Sequence, residues 1–314
     1  MGSGILGDAL FRREEEMAVI NFGSINIDHV YSVDHFVRPG ETIASSNYQQ
    51  LLGGKGANQS IALAQAGADV KHVGSIHESD AGFKQTLIKN GVDCRYVRCH
   101  DVPSGHAIIQ VTPGGENAIV LFGGANQTIT PDIVQKALLD TRDMDWVLTQ
   151  NETSCIDEVL KQAKAKGLRV AFNPAPMSES VKSLPLDCVD LLIVNETEAA
   201  AVTGKETLDD IIEVFKAQWQ HAEVLITLGK EGVLMITKDG MERVPAFVVD
   251  AVDTTAAGDT FIGYFLSAYS SHSGAKQALR RGCAASAITV TRKGAAQSIP
   301  SQKEVDRFLA KHGQ

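Results

Sequence analysis

Residues 250–263 read DAVDTTAAGDTFIG, and they join a run of small and polar residues to a helical apolar repeat. Apolar side chains recur from Phe261 onward at the spacing of one helix face, so a helix is expected to begin near Ala256. The first N–H groups of a helix have no intrahelical partner and lie at the positive end of its dipole, where they can bind an anion. We expect the backbone of Ala256, Ala257 and Gly258 to form this anion hole.

Asp259 lies in the same first turn, directly after small residues that let a phosphate approach the backbone. A carboxylate beside an anion hole suits the transfer of a phosphoryl group to a hydroxyl. The carboxylate can accept the proton while the N–H groups stabilise the developing charge. Taken alone, Asp259 could also be an ordinary first-turn acid that complements the helix dipole.

The composition is that of an ordinary soluble globular protein, with 314 residues, 44% hydrophobic and 21% charged. This length allows one large α/β domain with a small appendage, or two modest domains. The net charge of −9 argues against a nucleic-acid or membrane-surface binder. No apolar run reaches the roughly 18 residues of a membrane span. Five scattered cysteines without a CxxC pair indicate neither disulfides nor a zinc site, and favour a cytoplasmic protein.

The first residues differ in character from the rest of the chain. Residues 1–16 contain the run RREEE, which is too acidic for a signal or transit peptide. We expect them to be a disordered tail or an expression remnant. Residues 17–314 are expected to form a single domain.

Short apolar runs separated by helical stretches indicate a parallel sheet. The runs at 19–22, 146–148, 170–172, 191–194 and 224–226 are typical of buried strands with helical crossovers.

Two hairpins are also expected. One lies within residues 104–124, around a Pro-Gly-Gly turn, and the other joins 233–237 to 243–249. Together with the polar segment 32–50, the first hairpin is expected to form a small separate sheet.

Polar residues cluster where the predicted strands end. Ligands of open α/β sheets bind beyond the carboxyl ends of the strands. One cluster could be only a helix cap, and Asn195 with Glu198 three residues later is a good N-cap pattern. Several clusters beside Gly258 and Asp259 indicate a shared ligand site. The clusters are Asn26 with Asp28, and residues 150–152, 195–198 and 227–232.

The segment 53–58, GGKGAN, invites comparison with nucleotide-binding motifs. It lacks the third glycine of a Rossmann fingerprint, and no strong strand–turn–helix unit precedes it. A P-loop is excluded because no Gly-Lys here is followed by Ser or Thr. The remaining functional interpretation is that the backbone of this segment closely approaches a small polar ligand, to which Asn58 forms a hydrogen bond. A tight turn with a capping glycine is the alternative.

Several motifs together resemble the ribokinase family within the PfkB carbohydrate kinase superfamily, over about residues 18–309. They are GSINID (23–28), GGKGANQ (53–59), NPAP (173–176), NETEA (195–199), AVDT (251–254) with AAGDTF (256–261), and VTRKGA (290–295). The resemblance implies a three-layer α/β/α core around a mostly parallel sheet. It also implies a small β-sheet lid formed by about residues 32–50 and 104–124.

The resemblance further implies an ATP-dependent kinase that phosphorylates the primary 5-hydroxyl of D-ribose. Asp259 would be the base, and the backbone of 256–258 would be the anion hole. The residues that would hold the sugar are Asn26, Asp28, Gly54, Lys55, Asn58 and Glu152, with Asp259.

ATP, Mg²⁺ and K⁺ are implied by the same resemblance. Glu198 would act near the magnesium and the phosphates. Residues that would border the nucleotide are Asn195, Thr227, Gly229, Gly232, Gly258 and Cys283. The monovalent-cation site would comprise Asp253, Thr255, Thr289, Arg292, Gly294 and Ser298.

Two departures from the family pattern leave the nucleotide preference open. His77-Glu78-Ser79 replaces a Gly-Asp-Asp loop that many relatives have. Cys283 stands near the expected adenine pocket, where His or Asn is common.

Apolar residues on one face of the lid hairpin predict a homodimer through the lids. A kinase acting on deoxyribose, another sugar or a nucleoside remains an alternative. A catalytically silent sugar-binding regulator is disfavoured, because it would need neither Asp259 nor Gly258. A dinucleotide-dependent oxidoreductase is the weakest alternative, because the sequence lacks the Rossmann fingerprint of that class.

Overall fold

The computed structural model of the chain describes residues 17–313, so the prediction of a tail at residues 1–16 lies outside the described residues. Thirteen β-strands lie within this described range. They are β1 (Ala18–Phe22), β2 (Asn26–Ser32), β3 (Asn47–Gly53), β4 (Asp69–His77), β5 (Asp93–His100), β6 (Gly105–Val111), β7 (Asn117–Phe122), β8 (Trp146–Gln150), β9 (Arg169–Asn173), β10 (Leu191–Asn195), β11 (Glu223–Thr227), β12 (Val233–Thr237) and β13 (Gly240–Val244).

Nine α-helices occur in the same part of the chain. They are α1 (Lys55–Gln65), α2 (Ala81–Lys89), α3 (Pro131–Ala137), α4 (Ile156–Ala165), α5 (Glu196–Thr203), α6 (Leu208–Gln218), α7 (Ala257–Ser270), α8 (Ala275–Val290) and α9 (Gln302–Lys311). None of these described helices is both long enough and apolar enough to cross a bilayer.

Nine strands form the larger sheet, in the order β13-β12-β11-β10-β9-β8-β1-β4-β5. All neighbouring pairs from β11 to β5 are parallel, and only the pairs β11–β12 and β12–β13, at one end of the sheet, are antiparallel. The mostly parallel sheet expected from the short apolar runs is therefore confirmed.

Buried side chains form one hydrophobic cluster on each face of this sheet. In β1, Val19 belongs to one cluster and Ile20 to the other, because successive side chains of a strand point to opposite faces. Helices α1, α7 and α8 contribute to the first cluster, and α3, α4 and α6 contribute to the second. These two covered faces make the expected three-layer α/β/α fold, and they explain why the central strands are continuously apolar.

The smaller sheet has the strand order β3-β2-β6-β7. The hairpin expected within residues 104–124 is present as the antiparallel pair β6 and β7. The bounds expected at 32–50 need correction, since β2 already begins at Asn26 and residues 33–46 contain no regular strand or helix. Pairing with β3 and β6 along all seven residues of β2 holds Asn26 and Asp28 in a strand, although both residue types have low strand propensity.

The second expected hairpin is formed by β12 and β13. Its second strand was expected to reach Val249 but ends at Val244. Pro245 follows directly and has no N–H to donate to a strand ladder.

Backbone contacts without side chains hold α1 between the end of β1 and α7. A Cβ atom added to Gly56 would lie 2.4 Å from the Cα of Gly23, and one added to Gly263 would lie 2.3 Å from the Cβ of Ala62. Only glycine permits these two approaches. They bring the first turns of α1 and α7 together, beyond the carboxyl end of β1.

Replacing Gly263 with Ala tests this packing. The added methyl would overlap Ala62 and the backbone nitrogen of Leu63, which lies 2.7 Å from the ideal Cβ position. We expect the free energy of unfolding to fall by about 1–3 kcal/mol, the usual cost of overpacking. The measurement is equilibrium unfolding in urea.

Gly82→Ala in α2 is the matched control, because a Cβ at Gly82 would have no neighbour within 4 Å. This exchange should leave stability unchanged or raise it by up to about 1 kcal/mol, through helix propensity. Equal stability of the two variants would contradict the packing account.

Candidate active site

The helix that carries Asp259 begins with strained backbone geometry. Ala256, directly before α7, has a φ of 58°, in the left-handed region. This conformation costs a non-glycine residue about 1–2 kcal/mol. A Cβ atom added to Gly258 would have no neighbour within 4 Å, so open space lies beside the start of the helix.

The donors at this helix start differ in one respect from the expected anion hole. The N–H of Ala257 donates to the carbonyl of Thr254 at 3.2 Å. Those of Ala256, Gly258 and Asp259 have no acceptor among residues 17–313. Ala257 bonds inward because the left-handed Ala256 closes a tight turn. The free donors are therefore those of Ala256, Gly258 and Asp259.

Amides of α1 hold both carboxylate oxygens of Asp259. Asn58 Nδ2 donates to Asp259 Oδ2 at 3.0 Å, and Gln59 Nε2 donates to Asp259 Oδ1 at 2.9 Å. Asn58 Oδ1 is buried and has no hydrogen-bond partner among the described residues. A buried acceptor without a partner is unfavourable unless a ligand or water supplies the donor. A ligand hydroxyl near Asp259 would satisfy it.

Residues at the start of β2 face the same region. Asn26 is 4% exposed, and its Oδ1 accepts from Asn126 Nδ2 at 2.7 Å. Asn126 Oδ1 in turn accepts from the N–H of Ile25 at 2.9 Å. Asp28 packs over the backbone of Gly53, where a Cβ atom would lie 2.0 Å from Asp28 Oδ2. Glycine at position 53 therefore makes room for the Asp28 carboxyl.

Glu152 links the loop after β8 to the start of α1. Its Oε2 accepts hydrogen bonds from the hydroxyl of Ser24 and from the N–H of Lys55, the latter at 3.1 Å. The Ser24 hydroxyl also accepts from the N–H of Gly56 at 3.3 Å. An acid at a helix N-terminus stabilises the helix, so Glu152 anchors α1 while its other oxygen stays available. Gly54 has a φ of 91° and leads the chain into the helix.

Lys55 is a cation surrounded by acids. Burial lowers the pKa of its ammonium, but the charges of Asp259, Glu152 and Glu198 outweigh this effect, so the pKa is raised overall. Burial raises the pKa of Glu152 and of Glu198. These mutual interactions place the four groups in one site.

Asp28 is the acid with the largest resolved change at this site. Burial, assisted by the negative charge of Glu152, raises the pKa of Asp28 to about 6.

Asn195 and Glu198 form the expected capping box at the start of α5. The N–H of Glu198 donates to Asn195 Oδ1 at 2.8 Å, and the N–H of Asn195 donates to Glu198 Oε2 at 3.0 Å. Glu198 Oε1 has no partner within the described range. The charges of Lys55 and Asp259 both act on the Glu198 carboxyl: Lys55 lowers its pKa and Asp259 raises it.

The residues expected to border the nucleotide fall into two groups. Thr227 ends β11 beside Asn195, which it pairs with in the sheet. Gly229 and Gly232 follow in a turn with φ values of 53° and 99°. A Cβ at Gly232 would lie 2.1 Å from the carbonyl oxygen of Val244, so this glycine is needed for packing. Cys283 is 7% exposed and lies within the hydrophobic core.

Only part of the expected monovalent-cation set is brought together by side chains. Asp253 accepts from the N–H and the hydroxyl of Thr255 at 2.9 and 2.6 Å, and from the N–H of Gly294 at 2.9 Å. Burial alone would raise the pKa of Asp253. The hydrogen bonds from Thr255 and Gly294 together lower it by more, so the pKa of Asp253 is lowered overall.

The other three side chains of that set are engaged elsewhere. The hydroxyl of Thr289 donates to Thr260, Arg292 pairs with Glu304, and the Ser298 hydroxyl donates to the Ala295 carbonyl. Any contribution of these three to a cation site would come from the backbone.

Residues 18–302 match the pfkB family of carbohydrate kinases. The chain belongs to this family. It is 40% identical over 296 residues to a ribokinase of Haemophilus influenzae, covering 91% of this chain and 96% of that protein. The ribokinase of Cryptococcus neoformans var. grubii solved with ADP has a TM-score of 0.80, 31% identity, and coverage of 94% and 100%. The Arabidopsis thaliana ribokinase solved with ribose and ATP has a TM-score of 0.79, 29% identity, and coverage of 93% and 99%.

The sequence did not reveal the side-chain contacts that four polar residues make at this site. They are Ser24, Gln59, Asn126 and Gln150. Gln59 directly follows Asn58 in the motif GGKGANQ (53–59), which was the available signal in the sequence. Asn126 lies outside the quoted motifs, and its contacts with Ile25 and Asn26 are seen only in the folded chain.

The raised pKa of Asp28 predicts a pH-dependent stability difference. The folded protein binds this proton more tightly than the unfolded chain, whose value is the ordinary 3.8. Ionised Asp28 therefore opposes folding, and this loss of stability develops as the pH rises from about 4 to about 6. Asp28→Asn removes the effect. The variant's melting temperature minus that of the wild type should be more positive near pH 7.5 than near pH 4.5.

Thr149→Val is the control, because it removes the hydrogen bond from the Thr149 hydroxyl to the Phe22 carbonyl and changes no ionisable group. Its difference from the wild type should not depend on pH. Thermal unfolding followed by circular dichroism measures both. A pH-independent difference for Asp28→Asn would contradict the raised pKa.

Proposed function

We propose that the chain is an ATP-dependent ribokinase that transfers the γ-phosphoryl group of ATP to the 5-hydroxyl of D-ribose. One observation carries this proposal: Asp259, held by two amide donors, lies at a helix start where three N–H groups have no acceptor among residues 17–313. The relatives named ribokinase, one of them solved with ribose and ATP, support the substrate pair.

In this proposal, the sugar lies between β2 and the starts of α1 and α7. Asn26, Asp28, Asn58 and Glu152, with the backbone of Gly54 and the Lys55 side chain, bind its hydroxyls. The unpartnered Oδ1 of Asn58 supports this role, because it needs a donor. Asp259 is directed at the reacting hydroxyl.

The chemical step forms a bond from the sugar oxygen to the γ-phosphorus and breaks the bond from that phosphorus to the β-bridging oxygen. The hydroxyl proton passes to Asp259, and ADP leaves. The N–H groups at the start of α7 donate to the transferred phosphoryl group, and Lys55 balances part of its charge. Because such transition states are loose, positioning and charge stabilisation supply most of the catalysis.

The residues present fit the two metal ions that the family implies. Mg²⁺ keeps several waters and takes one or two protein carboxylates together with substrate phosphates, and Glu198 has one oxygen to offer. No three His, Cys, Asp or Glu side chains form a metal cluster within residues 17–313, which suits a metal shared with phosphates. The Asp253 carboxylate, with nearby backbone carbonyls, suits K⁺, which carbonyl oxygens coordinate. When bound, these ions would neutralise charge and order the loop before α7.

The nucleotide would lie along the carboxyl ends of β10 and β11. Asn195, Thr227, Gly229 and Gly232 line this edge, and Gly258 faces the phosphates. The buried position of Cys283 limits its role to the wall of the adenine pocket.

The smaller sheet would act as a lid, and through it two copies would form a dimer. Edge strand β7 exposes four consecutive apolar residues, Ile119 to Phe122, with Val120 68% exposed. A second copy of the chain would cover them. All five cysteines are free among the described residues, which supports a reducing cytoplasmic location.

Ribose-dependent ADP formation with Mg-ATP tests the proposed reaction. Asp259→Asn keeps the shape but cannot accept the proton, so kcat should fall by about 100-fold or more. The matched control for Asp259→Asn is Asp239→Asn, in the exposed turn between β12 and β13, which should leave kcat unchanged.

The cation site predicts that wild-type turnover rises when a sodium buffer is exchanged for potassium.

Folded wild-type protein that forms no ADP with ribose would overturn the ribose assignment, and a panel of sugars and nucleosides would then identify the acceptor. Equal activity in sodium and potassium would count against the role of Asp253.

Val120→Glu tests the dimer. A carboxylate buried in an interface without a partner costs several kcal/mol, so the dimer should weaken by more than about tenfold. Light scattering coupled to gel filtration measures the mass. Leu139→Glu, at a 64% exposed apolar residue outside the smaller sheet, should remain dimeric. A monomeric wild type at micromolar concentration would contradict the dimer.

A further inference from the structure

A chain of buried side-chain amides leads away from Asp259 into the sheet. Gln59 Nε2 donates to Asp259 Oδ1 at 2.9 Å, while Gln59 Oε1 accepts from Gln150 Nε2 at 2.8 Å. Gln150 Nε2 also donates to Asn21 Oδ1 at 2.9 Å. Gln59 and Asn21 are fully buried, and Gln150 is 1% exposed. No substrate, nucleotide or metal role assigned above involves these three amides.

At the far end, a backbone carbonyl sets the direction of this chain. Asn21 Nδ2 donates to the carbonyl of Gly56 at 2.9 Å. A carbonyl can only accept, so Asn21 must present its oxygen to Gln150. Gln150 must then present its NH₂ group, which donates to the oxygens of both Asn21 and Gln59.

A second carbonyl sets the same direction from the other side. Asn173 Nδ2 donates to the carbonyl of Ile193 at 2.9 Å, which leaves Asn173 Oδ1 facing Gln59 Nε2 at 3.3 Å. A reversed Gln59 amide would oppose its oxygen to Asn173 Oδ1 and to the Asp259 carboxylate, and its NH₂ group to Gln150 Nε2. The surroundings therefore admit only the orientation in which Gln59 donates to Asp259.

We propose that Gln59, oriented by Gln150, is a positioning residue for Asp259; this inference rests on the proposed function, in which Asp259 accepts the hydroxyl proton. A donor at Oδ1 stabilises the ionised carboxylate and holds its plane. Oδ2, bonded to Asn58, is then the oxygen that faces the sugar. The amides hold the base in place and do not carry its proton away, because an amide keeps its own protons at neutral pH.

Gln59→Leu is the first test, because leucine has a similar volume and no donor. Without this donor Asp259 is no longer held toward the reacting hydroxyl, so kcat should fall by about 10- to 100-fold. The KM values for sugar and ATP, and the sugar Kd from calorimetry, should change less than about threefold, because Gln59 touches neither substrate.

Gln150→Glu tests the orientation from a residue that does not touch Asp259. Its carboxylate would replace the donor to Gln59 with an acceptor, so Gln59 would turn its oxygen toward Asp259. We expect kcat to fall at least tenfold further than in Gln150→Met, which removes the donor without opposing it.

Thr149→Val is the matched control for burial. Thr149 is fully buried on the same strand as Gln150, and its hydroxyl donates to the Phe22 carbonyl at 3.0 Å. This variant should unfold at a lower temperature with kcat unchanged. A wild-type kcat in Gln59→Leu, or a loss no greater than that of Thr149→Val, would overturn the positioning role while leaving the kinase reaction intact.

A second readout needs no activity and no Gln59 variant. The Gln59 side-chain NH₂ signals, assigned by NMR through their own side-chain correlations, should exchange slowly with solvent and shift strongly in Asp259→Asn. Wild-type protein that phosphorylates no sugar would overturn the proposed function, and these signals would still decide the contact. Signals that exchange quickly, or that do not respond to Asp259→Asn, would overturn the inference.

Discussion

The site depends on the close backbone approach of α1 to the end of β1 and to α7. Gly56 against Gly23, and Gly263 against Ala62, leave no room for a Cβ atom. Because these contacts are made by backbone or by the smallest side chains, they set the position of α1 within narrow limits. That position decides whether Asn58 and Gln59 reach Asp259, which lies about 200 residues later in the chain. An α1 displaced by one methyl group would lengthen both hydrogen bonds.

Charge balance is the second condition on this arrangement. Acids from the loop after β8 and from the starts of α5 and α7 converge on one lysine. Burial makes the carboxyl groups of Asp28, Glu152 and Glu198 harder to ionise, as their raised pKa values show. Lys55 and the helix-start donors offset part of this cost. The same features suit an anionic substrate that arrives with its own cations.

Backbone and side chains divide the work at this site. The start of α7 leaves N–H donors without an acceptor among the described residues, whereas amide side chains orient Asp259. Ala256 shows that the first task has a conformational cost, since a left-handed alanine is retained at the start of α7. The turn that it closes engages the N–H of Ala257 and leaves its neighbours free. A sequence motif read position by position does not distinguish these donors, because the difference lies in one backbone torsion angle.

Patterns within short stretches of sequence determined much of this protein. Apolar runs predicted the parallel strands, the 3.6-residue period predicted α7, and the Asn195 to Glu198 spacing predicted the capping box. All three are decided by neighbours in the chain. The bounds of the smaller sheet were misjudged because β2 is held in place by pairing with distant strands.

Only the tertiary structure decided which residues meet at the base. Gln59, Gln150 and Asn126 became part of the site through contacts between residues 91 to 200 positions apart. The pKa of Asp28 likewise rises because of burial and of Glu152, and neither is visible in its local sequence. The sequence by itself determined the elements and the candidate base. The packing of α1 determined how that base is held, because hydrogen-bond direction and burial depend on atoms that approach only in the folded chain.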